Sequence, residues 1–322
     1  MKAIYQTAYG KSDVLCFGDR PEPRPGPKEV LIQNYATSVN PRDWLIRSGR
    51  YQLQFLVPAF PLVLGSDLAG RVIAVGAGVS EFQVGDRVFG MKNPCDGLAT
   101  YADVVSVSAK HITHTPEGLD WIQAGATPLC ALTAWQALVK GAGIKLGMSV
   151  MVIGASGGVG SFAVQIARAL GARVTAVCSG ANAELARRLG ATRVIDYQRE
   201  DVLKQPERFD CVFDTIGRHR FTPSCAILNQ GGRFVSTIPS PQNLKVMAIS
   251  KMRALLQPGH PRAHVVMVRP DAKDLAEIAG LIAAGQLTPL IDRVYPLHEA
   301  AQAHDYSRTL RARGKIVLSI QP

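Results

Sequence analysis

The sequence has no C-x-x-C pair, no internal repeat, no low-complexity segment and no uninterrupted apolar run that would span a bilayer. Its six cysteines (Cys16, Cys95, Cys130, Cys178, Cys211 and Cys225) are far apart, and Cys178 and Cys211 lie inside apolar, strand-like runs. That distribution excludes a disulfide framework and fits reduced thiols in a cytoplasmic protein. The first residues, Met1-Lys2-Ala3-Ile4-Tyr5, carry neither a long apolar stretch nor a small-residue cleavage site, so no signal peptide is expected. The most apolar segment, 150–169, is interrupted by Gly154, Gly157, Gly158 and Gly160 and then by Gln165 and Arg168. It reads as strand, turn and helix, not as a membrane span. Acidic residues are the scarcer sign, 25 against 36 Lys+Arg, for a formal charge of +11. The basic residues are scattered, and the cluster at 308–313 is short. No nucleic-acid-reading motif accompanies them, so neither nucleic acid nor membrane is expected as a partner. Attraction of a small polyanion, such as a phosphorylated cofactor, accounts for part of the excess.

At 322 residues, with 47% hydrophobic and 19% charged side chains, the chain is long enough for two packed domains. Up to about residue 120 it is rich in Val, Gly and Pro, and segments 30–34, 68–75 and 87–89 read as strands of a mostly antiparallel β region. A helix is expected over 131–139, after a break at Pro128. From Ser149 strand candidates (150–153, 174–177, 193–195, 211–214, 233–237) alternate with helical stretches (162–170, 182–189, 223–228). That alternation predicts a parallel sheet covered on both faces. The apolar run 265–268, a helix over 272–284 and a strand over 315–320 follow.

The strongest chemical signal is the strand Val150-Met151-Val152-Ile153 leading into Gly154-Ala155-Ser156-Gly157-Gly158-Val159-Gly160 and then a helix and a second strand. Glycines at such a turn let the backbone approach a pyrophosphate, and the helix start supplies unpaired amides and partial positive charge. Ala155 departs from the strict G-x-G-x-x-G pattern, but the surrounding βαβ unit is the confirming context. The second strand ends Val177-Cys178-Ser179-Gly180-Ala181-Asn182, with no acid until Glu184. An acid there would accept from an adenosine ribose and repel a 2′-phosphate. Ser179 and Asn182 can donate to one, with Arg187 or Arg188 a turn or two on. NADP(H) is therefore the expected cofactor.

The chain resembles the zinc-independent quinone oxidoreductase branch of the medium-chain dehydrogenase/reductase superfamily over essentially its whole length. The resemblance rests on Val39-Asn40-Pro41-Arg42-Asp43 with Arg47-Ser48-Gly49-Arg50-Tyr51, on Gly65-Ser66-Asp67-Leu68-Ala69-Gly70, and on Val84-Gly85-Asp86-Arg87-Val88. It continues through Leu132-Thr133-Ala134-Trp135, Gly157-Gly158-Val159-Gly160, Leu189-Gly190-Ala191 with Val194-Ile195-Asp196-Tyr197, and Ala312-Arg313-Gly314-Lys315. It implies an α/β architecture: a GroES-like β-rich catalytic domain (1–122 and 269–322), a Rossmann doubly wound domain (123–268), and a cleft between them for the nicotinamide. By the same resemblance, Ala155, Ser156, Gly157, Gly158, Val159 and Gly160 would hold the pyrophosphate. Cys178, Ser179, Asn182 and Tyr197 would line the adenosine end. Thr133 and the backbone of Val265, Val266 and Met267 would approach the nicotinamide, and Thr215 and Ile216 lie on a loop closing over the cofactor. Asn40 and Tyr51 would be the catalytic pair on the substrate side. Asn40 equally suits bracing a turn before Pro41, and Asp43 suits capping the helix that holds Trp44.

The Cys and Gly-His-Glu of the superfamily's zinc enzymes are replaced by Thr37-Ser38 and Gly65-Ser66-Asp67, and the structural-zinc region 91–100 has only Cys95. His111 and His114 are spaced like a weak ligand pair without a third soft ligand nearby. No metal is expected. The reading is an NADPH-dependent reductase of a small-molecule quinone or α,β-unsaturated carbonyl compound. An enoyl-thioester reductase and an NADPH-binding regulatory or structural protein with little turnover remain open. The apolar run 265–268, taken as an outer strand, predicts a homodimer through that edge, which a proline at Val266 should weaken by removing a backbone donor.

Overall fold

The β-branched run Glu29–Val39 forms one long strand, the axis of a seven-stranded sheet. Asn34 sits at a bulge in it and fills the gap with its own amide. Nδ2 donates to the carbonyls of Thr100 and Ala102 (3.0 and 3.1 Å), and Oδ1 accepts from the Ala69 amide (3.2 Å). The strand pairs antiparallel with Lys315–Ser319 on one side and with Asp67–Val75 on the other. Antiparallel pairing sets the end of a strand beside the starts of its neighbours. Val39 therefore finishes beside Ile316 and near the start of Asp67–Val75, and three polar residues meet there: Asn40, Asp67 and Lys315. The sheet is antiparallel except for its pair Ile291–Pro296 and Lys315–Ser319. A small sheet, Cys16–Asp19, Lys2–Gln6 and Leu62–Val63, completes the β structure.

The computed structural model describes residues 1–93, 97 and 99–320, which divide into two compact units. One holds the β structure above and spans 1–132, 269–283 and the chain from 289 onward; the other spans 133–268 and 284–288. Cys95 lies outside the described residues.

The second unit is a six-stranded parallel sheet in the order Arg193–Asp196, Arg173–Cys178, Ser149–Ile153, Phe209–Asp214, Leu228–Ser236, Arg262–Val265. The chain starts in the middle, winds to one side and then to the other. The order reverses between Ser149–Ile153 and Phe209–Asp214, where a doubly wound sheet opens a crevice at the strands' carboxyl ends.

Three expected elements differ. The helix begins at Pro128, the residue taken as a break, because proline at a first helical position sacrifices no hydrogen bond; it runs to Trp135 and continues as π-helical turns, Gln136–Ala142. The helix expected over 223–228 is one α turn, Phe221–Ser224, and one 3-10 turn, after which Leu228 is already in a strand beside Phe209. The outermost strand is Arg262–Val265, three residues earlier than the apolar run, because its ladder to Arg233–Ser236 sets the register. The Val266 amide donates to the Ser236 carbonyl (2.9 Å), so a proline there would cut a bond inside the sheet and is no clean probe of its outer edge. The helix Ala272–Ala283 belongs to the first unit, where it packs against Ile112–His114.

Candidate active site

In the second unit the turn after Ser149–Ile153 depends on two glycines. Gly154 has φ +82°, a left-handed conformation that favours glycine. A Cβ on Gly160 would lie 2.0 Å from the Gly154 carbonyl oxygen, so only glycine lets the helix start fold back on the turn. The Gly154 and Ala155 amides donate to the Val177 carbonyl (3.0 and 3.1 Å), and Gly157 N–H to the Gly154 carbonyl (3.0 Å). The helix Gly158–Ala169 begins there, and its first-turn amides at Gly158, Val159 and Gly160 have no acceptor within the helix.

Ser156 on this turn and Ser179 at the end of the second strand are drawn together by Asn182, whose Nδ2 reaches both hydroxyl oxygens (3.1 and 3.2 Å). The Oδ1 of Asn182 is buried without a partner. Both hydroxyls can donate as well as accept, so an amide flip would turn two N–H groups outward instead. Either way one polar group of Asn182 is left without a partner in the protein. Cys178 is buried, burial raising its thiol pKa, and only its carbonyl takes part, accepting from the Tyr197 amide (3.3 Å). Tyr197, Ile216 and Gly154 line a cavity of about 350 Å³. Beside them Asp214, fully buried, accepts from the amides of Ile216, Gly217 and His219 (3.0, 2.8 and 2.7 Å), and Thr215 Oγ1 donates to the Ile153 carbonyl (2.7 Å). Thr133 is buried at the start of the unit; Val265 and Val266 are buried at the sheet's carboxyl end, and Met267 is half-exposed.

Asp196 was not foreseen. It ends the third strand level with Cys178, and a Cβ on Gly180 would meet its Oδ2 at 2.6 Å. The acid missing from the second strand is thus supplied from the third, where Arg199 faces it at 3.7 Å. The signal was present in Val194-Ile195-Asp196-Tyr197, but it becomes readable only once the strands are paired.

In the first unit Asn40 is 1% exposed. Its Nδ2 donates to Asp67 Oδ2 (2.8 Å) and the Ser38 carbonyl (3.3 Å), and its Oδ1 accepts from Lys315 Nζ (2.7 Å). Both amide hydrogens are thereby committed inside the protein. Asp67 also accepts from Ser38 Oγ and from the Leu129 amide (2.6 Å), while Lys315 Nζ lies 3.6 Å from Asp67 Oδ2 and 3.3 Å from Cys130 Sγ. Burial alone would lower the lysine's pKa, but Cys130, Asp67 and Asp43 outweigh it and hold the ammonium charged. The bracing alternative is also met: Pro41 opens the helix Pro41–Arg47, and the Asn40 amide donates to Asp43 Oδ2 (2.8 Å). Tyr51 is partly buried against the core of this unit.

Asp43 leads into a buried relay. Arg47, which can only donate, reaches His304 Nδ1 (3.2 Å), so the imidazole proton sits on Nε2. Nε2 then donates to the Tyr101 oxygen (3.1 Å), and Tyr101 O–H to Asp43 Oδ2 (3.1 Å). Burial, with the nearby Arg47, lowers the His304 pKa to about 3, and burial raises that of Asp43 to about 6.

Residues 26–117 match the alcohol dehydrogenase GroES-like domain and 189–318 the zinc-binding dehydrogenase family. The chain is 35% identical to a mouse protein, NAD(P)H oxidoreductase RTN4IP1, mitochondrial, over 97% of this chain and 87% of that one. It superimposes on a quinone oxidoreductase from Coxiella burnetii with a TM-score of 0.90 and 31% identity, covering 100% and 99% of the two chains. The Escherichia coli quinone oxidoreductase complexed with NADPH gives 0.81 and 26%, covering 99% and 100%. A GroES-like unit and a doubly wound unit with a glycine turn at its switch point define a nicotinamide-dependent oxidoreductase. More narrowly, the chain belongs to the quinone oxidoreductase-like family of the medium-chain dehydrogenase/reductase superfamily.

The zinc in that family description calls for a converging set of His, Cys or acidic ligands. A thiol and a carboxylate, Cys130 and Asp67, do converge, but on the ammonium of Lys315. A divalent cation there would face a buried like charge. Among the described residues no three His, Cys, Asp or Glu side chains gather as a ligand set. His114 instead meets Asp86 at 3.2 Å.

Two expectations follow. Lys315→Met should cost roughly 3–5 kcal/mol of stability by leaving Asp67 buried without a counter-charge. Adding Asp67→Asn should recover part of that loss in a double-mutant cycle by chemical denaturation; purely additive losses would refute the pairing. His304 adds a pH signature. Free near 6.5 in the unfolded chain and near 3 when folded, it contributes fully above pH 6.5 and progressively less as pH falls. Asp43 acts oppositely: its contribution is fully present below about 3.8 and lost as pH rises through 6. The stability gap between wild type and His304→Gln should therefore shrink by about 2 kcal/mol between pH 7 and 5. A constant gap would refute the buried neutral imidazole.

Proposed function

We propose that this protein is a metal-independent, NADPH-dependent reductase of quinones or α,β-unsaturated carbonyl compounds. The observation that carries the proposal is Lys315: an ammonium fills the point where ligand-like groups converge, so no Lewis acid is provided to polarise an alcohol. The acceptor must then be electrophilic by its own conjugation. Bound NADPH supplies the hydride to the acceptor carbon. The first-turn amides of Gly158, Val159 and Gly160 bind the pyrophosphate, and Ser179 and Asn182 bind the 2′-phosphate, with Arg199 meeting the opposing charge of Asp196. Tyr51 donates a hydrogen bond to the oxyanion that develops on the acceptor and delivers its proton. Asn40, its amide held at both ends by Lys315 and Asp67, positions the start of the helix Pro41–Arg47. Thr133, Thr215 and the chain at Val265–Met267 complete the cofactor site. The domain limits we propose are those read from the sequence, 1–122 with 269–322 and 123–268.

Steady-state turnover of a panel of quinones, enones and enoyl thioesters tests this reading. Quinones or enones should be reduced with NADPH preferred over NADH in kcat/KM. Ser179→Asp should cut that preference at least tenfold by adding repulsion. Turnover of enoyl thioesters alone would favour the thioester reductase, and tight NADPH binding without turnover a regulatory or structural protein.

The purified enzyme should carry no stoichiometric zinc and keep its activity in chelator. About one zinc per chain by elemental analysis would overturn the mechanism.

The described cysteines are all free, which suits the cytoplasm, our proposed location; the mouse relative is mitochondrial by name. No helix among the described residues is long and apolar enough to cross a membrane. We further propose a homodimer through Arg262–Val265, the last strand of the sheet among the described residues. Light scattering at micromolar concentration should report twice the chain mass, and a monomer would refute the assembly alone.

A further inference from the structure

The second unit carries a group of positive side chains that the hydride chemistry does not use. Arg233 and Arg262 are direct neighbours across the parallel ladder, and like charges so placed cost stability. His264 follows on the same face of Arg262–Val265. Lys251 comes from the helix Pro241–Leu256, and Lys140 from the π-helical turns. Together with Gly141, Ala254, Leu255 and Ala263 they line a cavity of about 530 Å³. A Cβ on Gly141 would lie 2.5 Å from the His264 ring, so glycine lets the backbone close directly on the imidazole and form the wall.

Arg233 is only partly exposed, and among the described residues no carboxylate forms an ion pair with Arg233, Lys251 or Arg262. Burial depresses the Arg233 pKa and Arg262 depresses it further; burial, Lys251 and Arg233 do the same to His264. A partly buried guanidinium with a second one opposite it across the ladder is costly to keep without an anion. The cavity is also separate from the glycine turn. Arg233 lies level with Cys211 and Val150, near the amino ends of the strands, whereas Gly154 and Ile216 lie past their carboxyl ends.

We propose that this cavity is a second anion site, binding a small soluble molecule that bears two or more phosphate charges and a short apolar portion resting on Ala254 and Leu255. Two guanidinium forks suit phosphate oxygens in bidentate geometry, and the ammonium of Lys251 adds a third charge. The proposal does not depend on the reaction assigned above.

Calorimetric titration of the NADPH-saturated protein with inorganic pyrophosphate tests it. One equivalent should bind per chain, weakening with salt and leaving the fluorescence of bound NADPH unchanged. Arg233→Gln with Arg262→Gln should weaken binding at least tenfold while NADPH affinity stays within twofold. If that variant does not fold, Lys251→Gln, at an exposed position, should still weaken binding about threefold. No binding at millimolar pyrophosphate, binding unchanged by these substitutions, or binding that displaces NADPH would each overturn the proposal. So would Arg233-dependent binding to vesicles of phosphatidylcholine with one-tenth phosphatidylinositol phosphate when free pyrophosphate does not bind, since the ligand would then be a lipid headgroup.

Discussion

The first unit is organised around one buried carboxylate. Asp67 cannot be hydrated, so every lone pair it offers must find a donor or a positive charge within the protein. Ser38, Asn40, the Leu129 amide and Lys315 supply them, and they come from three separate stretches of chain. The antiparallel ladder brings the end of one strand and the starts of two others to one point, and the carboxylate fastens them there. Local geometry follows from that. Asn40 is held at its amide, Pro41 starts the helix behind it, and the helix delivers Asp43 and Arg47 to the relay through His304 and Tyr101.

The second unit solves a different problem with few side chains. Its site is largely backbone: a turn that two glycines make possible, a helix start with free amides, and a loop tied down through Asp214. Its side-chain chemistry is concentrated where Ser156, Ser179 and Asn182 form a small polar knot, with Asp196 against the next residue, Gly180. One carboxylate, one neighbouring arginine and an amide whose oxygen has no partner thus meet at the ends of the second and third strands.

Much of this was legible in the sequence, for identifiable reasons. The alternation from Ser149 onward and the glycine turn are local patterns with a fixed period, and the strands at 150–153, 174–177 and 211–214 lie where those patterns put them. Errors fell where a long-range contact overrides a local one. Leu228 looks helical until Phe209 is set beside it, and the run at 265–268 is the most apolar piece of its region although the ladder takes Arg262–Val265. Asp196, the pairing of Lys315 with Asp67, and the role of Cys130 were hidden because each depends on residues far apart in the chain. Asn40 reads from the sequence both as a catalytic contact and as a brace before Pro41, and its bond to Lys315, 275 positions away, is invisible there.

The relay through Arg47, His304, Tyr101 and Asp43 has a direction. Because a guanidinium only donates and the Asn40 backbone amide at the far end also only donates, the bonds between them admit a single arrangement of protons. Such a chain cannot tolerate independent drift at its members. A residue that reverses donor and acceptor at position 304 would place two donors, or two acceptors, face to face on at least one side. A substitution at 47, 101 or 304 therefore disturbs the bonds of the other two, although the three positions lie far apart in sequence.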